Sequence, residues 1–186
     1  MRPALLTDVD GVLLNWVQGF KAHYEAEGYH FRCGFPTNFD LLGWIQGVDT
    51  EEEIKELVDK FNHSDGFTKL QPCGGAQRFI EQARRDFDII AITSCSQDLL
   101  AQRTANLDAA FGKDTFKVIH CLGLGESKSL FLKMYRPTIW IEDSLHGALQ
   151  GVDAGHQVYI LDRPWNKGVG DFTRLRSLAA IAEEIC

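Results

Sequence analysis

Hydrophobic positions along this chain follow two rhythms, and the change between them divides it. Residues 3–9 (PALLTDV) form a compact apolar run ending in acid, as a strand buried in a parallel sheet does. Trp16, Phe20 and Tyr24 then recur at fourfold spacing and predict a helix from about Trp16 to Glu27. Residues 28–50 show no period and are rich in glycine and aromatic side chains. A well-marked helix follows. Asp49 or Thr50 is its cap, acids fill its first turn, and Ile54, Leu57, Val58 and Phe61 share one face.

From about residue 72 helices and strands alternate. GGAQRFIEQARR reads as a helix, FDIIAITS as a buried strand, QDLLAQRTANLDAAF as a helix and TFKVIHCLG as a strand. SKSLFLKMY is a helix, TIWIEDS a strand, LHGALQGVDAG a helix, HQVYILD the last strand and RLRSLAAIAEEI the closing helix. Such alternation makes an α/β fold: a Rossmann-like parallel sheet flanked by helices. Residues 15–72 break the rhythm and read as a small helical cap inserted after the first strand, with residues 1–14 and 73–186 as the core.

Ligands of open parallel sheets bind beyond the carboxyl ends of the strands. Those ends carry Asp8-Val9-Asp10-Gly11, Thr93-Ser94 and Glu142-Asp143-Ser144, while Lys128 opens the helix after the third strand. Side chains at i and i+2 of a strand share a face, so Asp8 and Asp10 can converge, and Asp143 can join them from another strand end. Two or three such oxygens, with a backbone carbonyl and water, suit magnesium, which neutralises repulsion between carboxylates and a phosphate. One carboxylate can then attack phosphorus while another moves a proton. Gly11 lets the backbone approach a phosphate, Thr93 offers a hydroxyl donor, and Lys128 offers a compact charge.

Composition narrows the partners. The 186 residues carry a formal net charge of −7 with no Lys/Arg cluster, which speaks against a polynucleotide. No apolar run reaches the length of a membrane span, and the N-terminal stretch reads as a strand rather than a signal peptide. Five scattered cysteines without CxxC spacing argue against a disulfide framework or zinc site and suggest a reducing cytoplasm. The expected partner is a small phosphorylated metabolite; the sequence leaves the oligomeric state open.

In their order and context, DVDGV, ITSCS, ESKS and WIEDS resemble the haloacid dehalogenase superfamily, specifically its aspartate-nucleophile phosphatases; the match runs from residue 4 to about 162. The resemblance implies Asp8 as nucleophile, Asp10 as general acid/base, and Thr93 (with Ser94 beside it) and Lys128 as phosphate-positioning groups. It implies magnesium held by Asp8, the backbone carbonyl of Asp10 and Asp143, with Glu142 either on the metal or behind it. Two finer resemblances compete. IEDSLHGALQGVDAGHQV is similar to phosphoglycolate phosphatase and phosphoglucomutase relatives. LQPCGGAQRFIEQA and GHQVYILDRPWNKG resemble the 5′(3′)-deoxyribonucleotidase group, which the RPWN ending and short cap favour. The expected substrate is therefore a (deoxy)nucleoside monophosphate, with sugar phosphates or phosphoglycolate, through a phosphatase or mutase, as the alternative. A non-catalytic binding protein of the same fold is the reading from another class.

Plainer readings compete residue by residue. An EF-hand loop starting at Asp8 fails, because it needs an oxygen ligand at Val12 and Glu at Gly19. Asp143 or Ser144 could be a helix cap, Thr93 a strand end, and Lys128 a solvated residue with Lys133 as its nearest competitor. The histidines read as surface or satisfied core groups and Cys95 as a small filler. Trp16, Phe20, Phe39, Trp44 and Phe67 read as core more than as a substrate platform.

Overall fold

Among the described residues, six short strands pair into one parallel sheet. The computed structural model describes residues 2–167 and 172–185. Its strands are β1 (Ala4–Thr7), β2 (Asp88–Thr93), β3 (Phe116–Cys121), β4 (Ile139–Glu142), β5 (Gln157–Leu161) and β6 (Thr173–Leu175), in the order β3-β2-β1-β4-β5-β6. β1 lies between β2 and β4, with Leu6 opposite Ile90 on one side and Trp140 on the other. The chain leaves β1 toward β2 and β3, then returns past it to β4, so the order reverses beside β1. Crevices at such reversals, beyond the carboxyl ends, are where open sheets bind ligands.

Alternation along β1 sends its side chains to opposite faces. Leu5 packs with Phe79 and Ile80 of α4 (Ala76–Ala83) and Ile181 of α8 (Leu178–Ile185). Leu6 packs with Leu132 of α6 (Ser129–Leu132) and Ala148 of α7 (Leu145–Asp153). The remaining core helix, α5 (Leu100–Phe111), follows β2.

Between β1 and α4 lie α1 (Trp16–Ala26), α2 (Glu51–Asn62) and α3 (Asp65–Thr68). Thr50, rather than Asp49, caps α2. Its hydroxyl accepts from Glu53 N at 3.3 Å, and the Glu53 carboxylate accepts from Thr50 N at 3.1 Å. Such a reciprocal box is worth about 1 kcal/mol. Phe20 is the hub of the inserted segment, with ring centroids of Trp16 and Tyr24 at 4.8 Å and Phe61 at 5.5 Å. The chain stretches entering and leaving this segment are clasped together: Asn15 N donates to Gln71 O at 2.9 Å and Cys73 N to Leu13 O at 2.8 Å. One apolar cluster runs from Phe20, Phe61 and Phe67 to Ala91, Cys95 and Leu107 of the core, so the inserted helices rest directly on the sheet end.

Two expectations need correction. HQVYILD is not the last strand: Arg174 and Leu175, read as the start of the closing helix, pair with β5 as β6, and α8 begins at Leu178. A three-residue edge strand is fixed by its neighbour, not by its own pattern. The helix read from SKSLFLKMY is regular over Ser129–Leu132 alone, because turns take over at Lys133.

Candidate active site

The ends of β1 and β4 bring three carboxylates to one point. Asp8, Glu142 and Asp143 each offer an oxygen within 4.8 Å of the others, and all three residues are buried. Lys128, only 6% exposed, lies among them, with Nζ 3.0 Å from Asp8 Oδ1 and 2.9 Å from Glu142 Oε2. Gln150 Oε1 accepts the Lys128 backbone N–H at 2.6 Å and anchors the turn that carries it. Glu142 has donors on both oxygens: Oε1 accepts from Ser144 Oγ at 2.6 Å and from Ser144 N at 3.1 Å. Ser144 also caps α7, accepting Gly147 N at 3.1 Å. Ser144 therefore takes the capping place, while Asp143 beside it joins the carboxylate cluster.

Charge in this cluster is unbalanced. Burial, then the Glu142 charge, pushes the Asp8 carboxyl up to about 7 against the pull of Lys128. Burial and the charges of Glu142 and Asp8 likewise raise Asp143 well above the usual carboxylate range. Burial works to lower the Lys128 pKa, but Asp8 and Glu142 outweigh it and hold the ammonium above its ordinary value. One cation among three buried carboxylates leaves a hard, oxygen-rich, electron-rich pocket. That donor set fits a small divalent cation such as magnesium.

Asp10 stands apart from the trio. Its Oδ2 accepts Arg103 Nη2 at 2.5 Å. Burial raises the Asp10 pKa more than Arg103 lowers it. The Thr93 hydroxyl, fully buried, lies near Asp10 but forms no regular hydrogen bond. Ser94 lines the adjoining cavity. Among the expected residues, then, Asp8, Lys128, Glu142 and Asp143 form one cluster, with Asp10, Thr93 and Ser94 around it.

The RPWN turn, whose role the sequence leaves blank, ties the site together. Arg163 donates through Nε and Nη2 to Gly11 O at 2.8 and 2.6 Å. Asn166 Nδ2 bridges Asp143 O and Leu161 O, each at 2.7 Å. Trp165 Nε1 donates to Asp143 Oδ2 at 3.2 Å. Outer partners of this kind fix ligand orientation, and losing one commonly weakens metal binding 10- to 100-fold. Trp165→Phe should therefore bind magnesium about tenfold more weakly in titration calorimetry, at unchanged secondary structure. Unaltered affinity would mean the indole only fills space.

Gly11 makes that packing possible. Its φ is +78°, and a Cβ there would collide with the Asp143 carboxylate. Gly11→Ala is expected to cost about 1–3 kcal/mol in denaturant unfolding; an unchanged midpoint would contradict the close approach.

Over the carboxylates opens a cavity of about 500 Å³, bounded by Trp16, Val17, Leu41, Ile54 and Val58 of the inserted segment. Its cations are Lys128 and Lys55, and Lys55 lies 3.4 Å from Glu51. Phe39 departs from the core reading: it is 63% exposed and lines this cavity, in the stretch without a readable period. His146, also read as surface or core, lines it too. Trp44 and Phe67 are core as read. Arg103 left a faint signal, a charge on the inward stripe of Leu99, Asn106 and Leu107. No helix among the described residues is long and apolar enough to cross a membrane.

No family model matches the chain. It is 31% identical over 157 residues to an uncharacterized 32.4 kDa protein of Enterobacteria phage T4; the match takes in 78% of this chain and 55% of that protein, so it spans about half the relative's length. Solved structures resemble it over nearly their full length. A candidate phosphoglycolate phosphatase from Lactobacillus plantarum superposes with a TM-score of 0.68 at 14% identity, covering 98% of this chain and 99% of that one. The haloacid dehalogenase-type YfnB of Bacillus subtilis, bound to magnesium, gives 0.66 at 18% identity, covering 99% and 98%. CbbY of Rhodobacter sphaeroides, in complex with phosphate, gives 0.60 at 20% identity, covering 97% and 96%. The fold is that of haloacid dehalogenase-like proteins.

Proposed function

We propose that the chain is a magnesium-dependent phosphomonoesterase in which Asp8 is transiently phosphorylated. The observation that carries this reading is the convergence of Asp8, Glu142 and Asp143 on Lys128 at the reversal point of the sheet. A retired site has no physical need of three buried carboxylates, which cost free energy unless charge is brought to them. Magnesium would be held by Asp8, Asp143 and the Asp10 carbonyl, and supplies charge neutralisation for the phosphoryl group. Glu142, with donors on both oxygens, then serves to hold Lys128.

Asp8 attacks phosphorus from its carboxylate as the ester P–O bond breaks. Asp10 gives its proton to the departing oxygen, releasing the alcohol. Water then attacks the phosphorus, its proton passes to the Asp10 carboxylate, the Asp8–phosphorus bond breaks, and inorganic phosphate leaves. Lys128, which lines the cavity, is the cation for the phosphoryl oxygens, and the Thr93 hydroxyl lies buried beside Asp10. The inserted segment roofs the reacting groups and excludes bulk water.

The lining speaks for one anionic group per substrate. Among the described residues, the cavity offers, apart from Lys128, only Lys55 as a lysine or arginine cation, and a carboxylate already neighbours it. A neutral leaving group with apolar faces, such as a nucleoside, suits Val17, Ile54, Val58 and exposed Phe39. A sugar-phosphate or phosphoglycolate phosphatase is the second reading, favoured by the fold's likeness to CbbY and the Lactobacillus protein.

Phosphate release is the test, across nucleoside and deoxynucleoside monophosphates, sugar phosphates and phosphoglycolate, with and without magnesium. Magnesium-dependent turnover concentrated on nucleotides is expected. Turnover confined to sugar phosphates or phosphoglycolate would move the substrate to the second reading; a folded sample that binds no magnesium would end the catalytic one.

A further inference from the structure

Arg103 is a wholly buried cation that none of those steps uses. Three features fix it in place. Nη2 meets Asp10 Oδ2 at 2.5 Å. The guanidinium carbon lies 4.3 Å from the ring centroid of Phe67, on α3 of the inserted segment. One turn further along α5, Asn106 Nδ2 reaches Thr68 O at 3.3 Å and Leu70 O at 3.2 Å, at the end of that same segment. Nε and Nη1 are buried without a hydrogen bond of regular geometry, and the Cys95 thiol, a weak acceptor, is the neighbour on that side. Enclosing a guanidinium that has one carboxylate partner and otherwise only a thiol beside it is costly, and an apolar side chain of similar volume would pack there at no such cost. Packing alone therefore does not account for an arginine.

We propose that Arg103 is the positioning residue of Asp10. It aims the carboxyl at the leaving oxygen and, through its stacking on Phe67, makes that aim depend on how the inserted segment is seated. The inference rests on the phosphomonoesterase reading. Arg103 does not line the substrate cavity, so it acts through Asp10 and not on the substrate. Lysine replaces it only in part, because the contact on Phe67 and the bond to Asp10 use the plane of the guanidinium together.

The test compares two substrates of nearly the same shape. Phenyl phosphate releases a phenol with a pKa of about 10 and needs a proton donor. 4-Nitrophenyl phosphate releases a stabilised phenolate and needs little help. In Arg103→Met, kcat/KM for phenyl phosphate should fall on the order of 100-fold, and for 4-nitrophenyl phosphate less than about tenfold. Magnesium affinity, read by titration calorimetry, should stay unchanged. If Arg103→Met does not fold, Arg103→Lys and Phe67→Leu carry the same comparison, with a smaller loss and the same bias toward phenyl phosphate. Equal losses on both substrates, or no loss, would overturn the positioning role. A wild-type protein that hydrolyses neither compound would instead overturn the phosphomonoesterase reading beneath it.

Discussion

Asp8→Asn is expected to stop phosphate release, by about 10⁴-fold or more, and yet to raise the melting temperature of the metal-free protein. On the proposed mechanism, the first half follows from losing the attacking oxygen. The second follows from the cost of ionising that carboxyl where it sits. Burial and Glu142 push it up to about 7 from an ordinary 3.8. The folded protein therefore binds this proton more tightly than the unfolded chain. Its contribution to stability is fully present below pH ~4 and is lost as pH rises through about 7. Above that, the charged site subtracts on the order of a few kcal/mol, and the neutral amide escapes this. Melting curves without metal should show the variant ahead at pH 8 and the gap closed near pH 4. Magnesium at pH 8 should then stabilise the wild type more than the variant. A variant that melts below wild type at pH 8 would refute the account of the site as electrostatically strained.

Local pattern carried the parts of this site that lie at strand ends. Asp8, Thr93 and Asp143 are each announced by an apolar run that stops, and a parallel sheet gathers such stops at one edge. Lys128 is legible only as a charge before a short apolar helix, and the structure separates it from Lys133, which is exposed. What the pattern could not carry are the long-range ties. Arg103 reaches Asp10 across 93 positions, and Arg163 reaches Gly11 across 152. Nothing in the residues around Arg103 or in RPWN encodes a distant acceptor. β6 was hidden for a similar reason, since its pairing with β5 is a tertiary fact. Phe39 fell in a stretch without period, where aromatic character alone does not separate core from cavity wall.

Lys128→Met should be the most destabilising single change in the site. The ammonium lies 2.9 Å from Glu142 and 3.0 Å from Asp8, with both residues enclosed. Taking one partner from a buried pair leaves the other charge uncompensated and costs about 3–5 kcal/mol. Here two carboxylates lose their cation at once, with Asp143 as a third neighbour. Denaturant unfolding of the metal-free variant at pH 8 should show a loss of that size. Lowering the pH should recover part of it, because Asp8 and Asp143, both raised by burial, then take up protons. Magnesium should recover part of it too, by supplying charge. On the proposed mechanism activity should not return with the metal, since Lys128 is the ammonium assigned to the phosphoryl oxygens. Lys133→Met, on the exposed side of the same turn, is the control and should stay within about 0.5 kcal/mol of wild type. If the two variants unfold alike, Lys128 is not the charge that holds the three carboxylates together.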